Sequence, residues 1–206
     1  MKFDLGLYLV TDRTLSLGRS IEEVVEESVQ GGVTMVQLRE KDCTTREFFQ
    51  LAIRLKNVLR PYNVPLIIND RLDIALASDA EGLHIGQSDM PYSIVRKLLG
   101  KDRIIGLSVE SMEDAVKANS LDVDYIGISP VFGTPTKTNT ATPFGLDGIR
   151  EVVAISNHPS VAIGGINLTN TSEIMQAGAN GIAVVSAIMS AANPKQAAHE
   201  LKQLIK

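Results

Sequence analysis

From Leu5 onward, short apolar runs alternate with amphipathic segments in a rhythm of strand, helix, strand. The strand candidates lie in LGLYLVTD, MVQLRE, PLIIND, GLHIGQ, IIGLSV, YIGISPVF, SVAIGGI and GIAVVSAI. Helix candidates fall between them: residues 20–31, Thr45–Leu59, the segment around Ile74, PYSIVRKLL, MEDAVKAN, GLDGIREVVAI, SEIMQAG and residues 194–205. Several strand runs are apolar at successive positions, as strands buried on both faces require, and the helices carry their charges on one side. Parallel pairing follows.

Local signals mark the element ends. Ser20 ahead of Glu22 and Glu23, Thr44 ahead of Glu47, and Thr171 or Ser172 ahead of Glu173 are expected helix caps. Gly31, Gly100 and Gly178 stand where a left-handed residue would end a helix. Eight strand–helix units predict an α/β fold, a single (β/α)8 TIM barrel over residues 1–206. A doubly wound open sheet would use fewer strands and a glycine-rich first turn, which LGLYLVTDR lacks. The one long connection, residues 133–144, reads GTPTKTNTATPF and suits a loop that closes over an active site.

Composition narrows the function. The chain has 206 residues, 44% hydrophobic and 21% charged, enough to bury a core and stay soluble. A net charge of −4 without a basic run argues against nucleic acid, so any anion must be held locally. Cys43 stands alone, out of metal-ligand spacing with His84, His158 and His199, which suits a reducing cytoplasm. Residues 1–12 lack a signal-peptide pattern, and no run approaches the ~20 apolar residues of a membrane span. A monomer and a homodimer are both compatible with this length.

In such a barrel the reacting groups lie at the carboxyl ends of the strands. The second strand run carries Gln37, Arg39 and Lys41 at alternate positions, so a strand period of two points all three one way and Leu38 and Glu40 the other. Three donors on one face, two of them cationic, favour an anion site over a solvated strand end. The third run ends in Asn69, Asp70 and Arg71, and the fourth passes through His84 and Gln87 to Asp89. Neighbouring strands lie about 4.8 Å apart, so Asp70 and Asp89 could share one Mg²⁺, an ion usually held by one or two carboxylates plus substrate phosphate. Taken singly, each aspartate could equally cap the helix that follows it.

His84 is expected to be a hydrogen-bonded barrel residue, and Cys43 an ordinary loop residue. Ser108 could donate to a leaving phosphate or cap a helix. The last two runs lead through Gly164-Gly165-Ile166 and Val185-Ser186 into helices, where glycine and backbone amides commonly receive phosphate. The chain would then hold two separate phosphorylated groups.

YLVTD at 8–12, QLREK at 37–41, NDR at 69–71, HIGQSD at 84–89, TPTK at 134–137, GGI at 164–166 and VVSAI at 184–188 together resemble the thiamine phosphate synthase family. The resemblance spans the chain. It implies joining of 4-amino-2-methyl-5-hydroxymethylpyrimidine diphosphate to a thiazole phosphate, with release of pyrophosphate. It further implies that Gln37, Arg39, Lys41, Asn69, Ser108 and Lys137 contact the pyrimidine diphosphate, with Arg39, Lys41, Ser108 and Lys137 as the catalytic set. Asp70 and Asp89 would hold Mg²⁺. Thr134, Thr136, Gly165, Val185 and Ser186 would take the thiazole phosphate, with Leu38, Glu40 and Pro135 included among the substrate-binding residues. Loss of pyrophosphate from the pyrimidine methylene would leave a ring-stabilised cation for the thiazole nitrogen to attack, a step that needs no protein nucleophile.

The chain departs from the family at Ser129-Pro130, where glycine-proline is usual, and at Val109-Glu110, where threonine-histidine is usual. A TenI-like thiazole tautomerase would share the barrel and the thiazole phosphate site, but would not need both aspartates, Arg39, Lys41 and Lys137. A non-catalytic phosphate-ligand sensor would need them still less.

Overall fold

Period-two alternation sorts the side chains of eight short strands into two cores. The computed structural model describes residues 3–133 and 142–205. Its strands are β1 Leu7–Val10, β2 Met35–Leu38, β3 Leu66–Asn69, β4 Gly82–Ile85, β5 Ile104–Val109, β6 Tyr125–Ile128, β7 Ser160–Ile163 and β8 Gly181–Val184. Each pairs in parallel with the next, and β8 returns to β1 with Ala183 opposite Tyr8, closing the barrel. One phase of the strands points inward and packs Tyr8, Val10, Met35, Ile67, Ile104, Tyr125, Val161 and Ala183 together. The other phase, with Leu7, Leu9, Val36, Leu38, Leu66 and Ile68, packs against the helices. Burial on both faces explains the unbroken apolar runs in the sequence.

The helices are α1 Ile21–Gln30, α2 Thr45–Leu59, α3 Leu72–Ala77, α4 Tyr92–Leu99, α5 Met112–Ala118, α6 Gly145–Ile155, α7 Thr171–Gln176, α8 Ser186–Met189 and α9 Pro194–Leu204. None is long and apolar enough to cross a membrane. Ser20 and Thr44 form the expected capping boxes, with Glu23 and Glu47 as partners. In the second, Thr44 Oγ1 accepts from the Glu47 amide at 3.2 Å while a Glu47 carboxylate oxygen accepts from the Thr44 amide at 2.8 Å. These bonds satisfy first-turn amides of a helix whose Phe48, Leu51, Leu55 and Leu59 are buried. Thr44→Ala should therefore lower stability by about 1 kcal/mol, read as a shifted urea midpoint with unchanged slope.

Two expectations are corrected. Thr171 does not cap α7; Asn170 holds that position, and the Thr171 hydroxyl donates to the Asn167 carbonyl at 2.7 Å. Gly31 is right-handed, with φ −85°, and the positive φ falls on Gly32. Gly31 is needed for approach, because a Cβ there would strike the Lys195 carbonyl of α9. As expected, the last run passes into a helix at Val185-Ser186: β8 stops at Val184, and Ser186–Met189 forms the one-turn α8.

Candidate active site

The inward phase of the strands, followed to their carboxyl ends, opens into a cavity. Its wall carries Gln37, Arg39, Asn69, His84, Ser108 and Ser129, together with Gly164, Gly165, Val185 and Ser186. The alternation expected along 37–41 outlasts β2. Gln37 is buried inside the barrel, and its Nε2 donates to the Tyr8 hydroxyl at 2.8 Å. Arg39 follows in phase, its amide donating to Thr11 Oγ1 at 3.1 Å and its guanidinium 3.5 Å from Asp12. Lys41 reaches Asp70, with Nζ 2.5 Å from the carboxylate. Leu38 is buried on the helix side, and Glu40 pairs with Arg13 at 3.1 Å, so the side chains of both are turned from the cavity and only their backbone is left for a ligand. The second Glu40 oxygen is buried without a hydrogen-bond partner among the described residues.

Neither aspartate serves as a helix cap. The caps of α3 and α4 are Arg71 and Pro91, without side-chain bonds to the helix. Asp70 instead sits at φ +62°, a left-handed conformation that aspartate tolerates better than most residues. Its amide is tied to the His84 carbonyl of β4 at 2.9 Å. Asp89 accepts from the Gly86 amide at 2.7 Å. The two carboxyl groups are close enough to perturb each other. Burial pushes Asp89 above the usual carboxylate range and Asp70 beside it adds to this, while the Gly86 amide offsets only part. Burial acts to raise Asp70 too, but its bonds to Lys41 and Asp89 outweigh that and hold it low. Two crowded carboxylates beside a lysine form a hard-oxygen donor set suited to a divalent cation that completes its shell with water and substrate oxygens. Among the described residues no cluster of three or more His, Cys, Asp or Glu forms a closed cage.

Ser108 is not a helix cap, since α5 is capped by Ser111. Its Oγ lies 2.9 Å from His84 Nε2, and its carbonyl accepts from Gln87 Nε2 at 2.5 Å. His84 Nδ1 lies 3.0 Å from the Tyr125 hydroxyl, which is 2.9 Å from the Tyr8 hydroxyl. His84 is hydrogen-bonded inside the barrel as expected, and it also lines the cavity. Burial and the nearby Glu40 push the Cys43 thiol up, away from nucleophilic thiolate character.

After β7, Gly164 and Gly165 have φ of +105° and +67°, and a Cβ on Gly165 would lie 2.8 Å from that of Phe132. Val185 caps α8. A loop after the seventh strand and the start of a short extra helix after the eighth form the usual phosphate corner of this architecture. Thr134, Pro135, Thr136 and Lys137, and with them the proposed closing loop, lie outside the described residues. The Phe144 and Gly145 amides donate to the Pro130 and Val131 carbonyls at 2.9 Å, so the chain after that loop is anchored beside the cavity wall.

Sequence reasoning missed Asp12, Thr11, Tyr8 and Tyr125. The two tyrosines share the inward phase with Gln37 and Ser108, and Asp12 continues the Tyr8, Val10 phase just beyond β1, which was a usable signal.

The family model described as thiamine monophosphate synthase matches residues 7–188. A thiamine-phosphate synthase of Albidiferax ferrireducens is 53% identical over 201 residues, covering 98% of this chain and 92% of the relative. One from Leptospira biflexa is 54% identical, covering 96% of each. The structure of a thiamine phosphate pyrophosphorylase from Pyrococcus furiosus superposes with a TM-score of 0.90 at 39% identity, over 98% of this chain and 95% of that one.

Proposed function

The chain belongs to the thiamine monophosphate synthase family, and from that premise we propose how its upper barrel face carries out the reaction. The protein is an enzyme, a pyrophosphate-releasing transferase that acts on small molecules to make thiamine phosphate. The proposed partners in that reaction are 4-amino-2-methyl-5-hydroxymethylpyrimidine diphosphate and a thiazole phosphate, handled in the cytoplasm by residues 1–206 acting as one catalytic unit.

The observation that carries the reading is one cavity lined both by Gln37, Arg39, Asn69 and Ser108 and by Gly164, Gly165, Val185 and Ser186, two groups that we read as separate anion corners. Gln37, Arg39, Asn69 and Ser108 face the first, where the pyrimidine diphosphate would lie with its leaving group toward Arg39 and Lys41. Asp70 and Asp89 would hold Mg²⁺, which when bound offsets charge on the departing pyrophosphate. Arg39 is held by Asp12 and Thr11 before substrate arrives, so little reorganisation opposes charge development. Lys137 would add a cation from the loop, which would shield the pyrimidine cation from water. Gly165, Val185 and Ser186, with Thr134, Pro135 and Thr136, would seat the thiazole phosphate so that its ring nitrogen faces the pyrimidine methylene.

Two corners predict separable defects. Gly165→Ala strains a backbone at φ +67° and crowds Phe132, so the KM for thiazole phosphate should rise roughly tenfold while that for the pyrimidine diphosphate stays near its native value. Lys137→Ala should lower turnover without that KM signature. Steady-state kinetics with each substrate varied in turn reads both; equal effects on both KM values from Gly165→Ala would count against two corners.

A further inference from the structure

The mechanism above leaves unused a line of hydrogen bonds through the barrel interior. It runs from Gln37 Nε2 to the Tyr8 hydroxyl at 2.8 Å, on to the Tyr125 hydroxyl at 2.9 Å, to His84 Nδ1 at 3.0 Å, and from His84 Nε2 to Ser108 Oγ at 2.9 Å. Tyr8 and Tyr125 are almost wholly buried, at 1% and 0% exposure. We propose that these two tyrosines are positioning residues that hold the His84 imidazole as its Nε2–H tautomer, leaving the Ser108 hydroxyl to donate its own proton's hydrogen bond to the substrate. The proposal rests on the reading that Ser108 faces the pyrimidine diphosphate.

Counting protons gives the direction. Each phenol has one to donate. The Gln37 amide already donates to the Tyr8 oxygen. If Tyr125 also donated to Tyr8, the Tyr8 proton would have no acceptor among the described residues, and a buried unsatisfied donor costs about 1–3 kcal/mol. Tyr8 therefore donates to Tyr125, and Tyr125 to His84 Nδ1. A neutral imidazole that accepts at Nδ1 carries its proton on Nε2. That proton goes to Ser108 Oγ, so the serine's own O–H is available to an acceptor in the cavity. Burial raises both phenols far above their ordinary range, which keeps both protons in place.

The strands make room for this arrangement. A Cβ on Gly106 of β5 would strike the Tyr125 ring and hydroxyl and also His84 Nδ1, and one on Gly127 of β6 would lie 3.3 Å from His84 Cε1. Glycine at two inward positions lets the histidine and the tyrosine meet in the plane of the next layer down from Ser108. An apolar barrel floor would need none of these polar groups.

The test has two arms, both on the full chain. Nitrogen-15 NMR of the native enzyme labelled at histidine, with His84 assigned by its loss in His84→Gln, should show a neutral Nε2–H ring. In kinetics, Ser108→Ala should lower kcat by about 10²-fold, as loss of a transition-state donor does. Tyr125→Phe should lower kcat roughly tenfold with both KM values held within about twofold, and should add almost nothing in the Ser108→Ala background. An Nδ1–H ring in the native enzyme, or additive losses in the double variant, overturns the proposal, and the native spectrum decides even if Tyr125→Phe fails to fold. If the wild type makes no thiamine phosphate, the parent reading of Ser108 fails instead; a working enzyme with the wrong tautomer sinks the tautomer proposal alone.

Discussion

Arg39→Ala is expected to lower kcat by about 10²–10³-fold, the scale seen when one preorganised donor to a developing anion is removed. Its guanidinium lines the cavity from just beyond β2, fixed at the backbone by Thr11 and at the side chain by Asp12. Because the leaving group gains charge as its bond breaks, the loss should appear mainly in kcat, with a smaller rise in the KM for the pyrimidine diphosphate. Arg39→Lys should recover only part of the activity, since an ammonium cannot offer the planar fork of donors that a diphosphate engages. Asp12→Asn should give a milder defect of the same kind. Rapid-quench and steady-state measurements on these three variants, with circular dichroism to confirm the fold, test the ordering. Near-native kcat for Arg39→Ala would remove this residue from the chemistry.

Asp70→Asn should lower turnover by at least about 10²-fold and abolish the rise in melting temperature expected when Mg²⁺ is added to the native protein. Asp70 is the better-ionised member of the pair and already sits against Lys41. Asp89 behaves oppositely in the metal-free protein. Its carboxyl is raised above the unfolded value, so at neutral pH its charge costs the folded state stability, and that cost fades as pH falls through the raised value. Asp89→Asn should thus leave the chelated protein as stable as the native one, or more so, while weakening Mg²⁺ binding. Calorimetry with and without Mg²⁺ reads both halves of the prediction. Undiminished Mg²⁺ stabilisation in Asp70→Asn would place the cation elsewhere.

Much of this was legible in the chain. Eight apolar runs with amphipathic spacers specify a closed parallel barrel because strands covered on both faces must be apolar on both phases. The strand period also sorted Gln37, Arg39 and Lys41 from Leu38 and Glu40, and it held beyond the last ladder hydrogen bond because Thr11 and Asp70 continue to fix the backbone and side chains there. Other features depended on contacts between distant segments. The strand period places Tyr8 and Tyr125 on the inward face, but it does not say that two hydroxyls 117 residues apart will meet. Gly31 read as a helix stop, but its role is set by the backbone of α9. Asp12 gains its role only when β1 and β2 lie side by side. The helix start expected at Val185-Ser186 is present, as the short α8 with Val185 at its cap.

The most direct measurement is product formation by mass spectrometry, with purified protein, pyrimidine diphosphate and thiazole phosphate, run with Mg²⁺ and with excess chelator. Thiamine phosphate and pyrophosphate should appear in equal amounts with Mg²⁺ and fall to background with chelator. Equal rates in the two reactions would contradict the Asp70–Asp89 metal site, and absence of both products from folded protein with Mg²⁺ would contradict the synthase account itself.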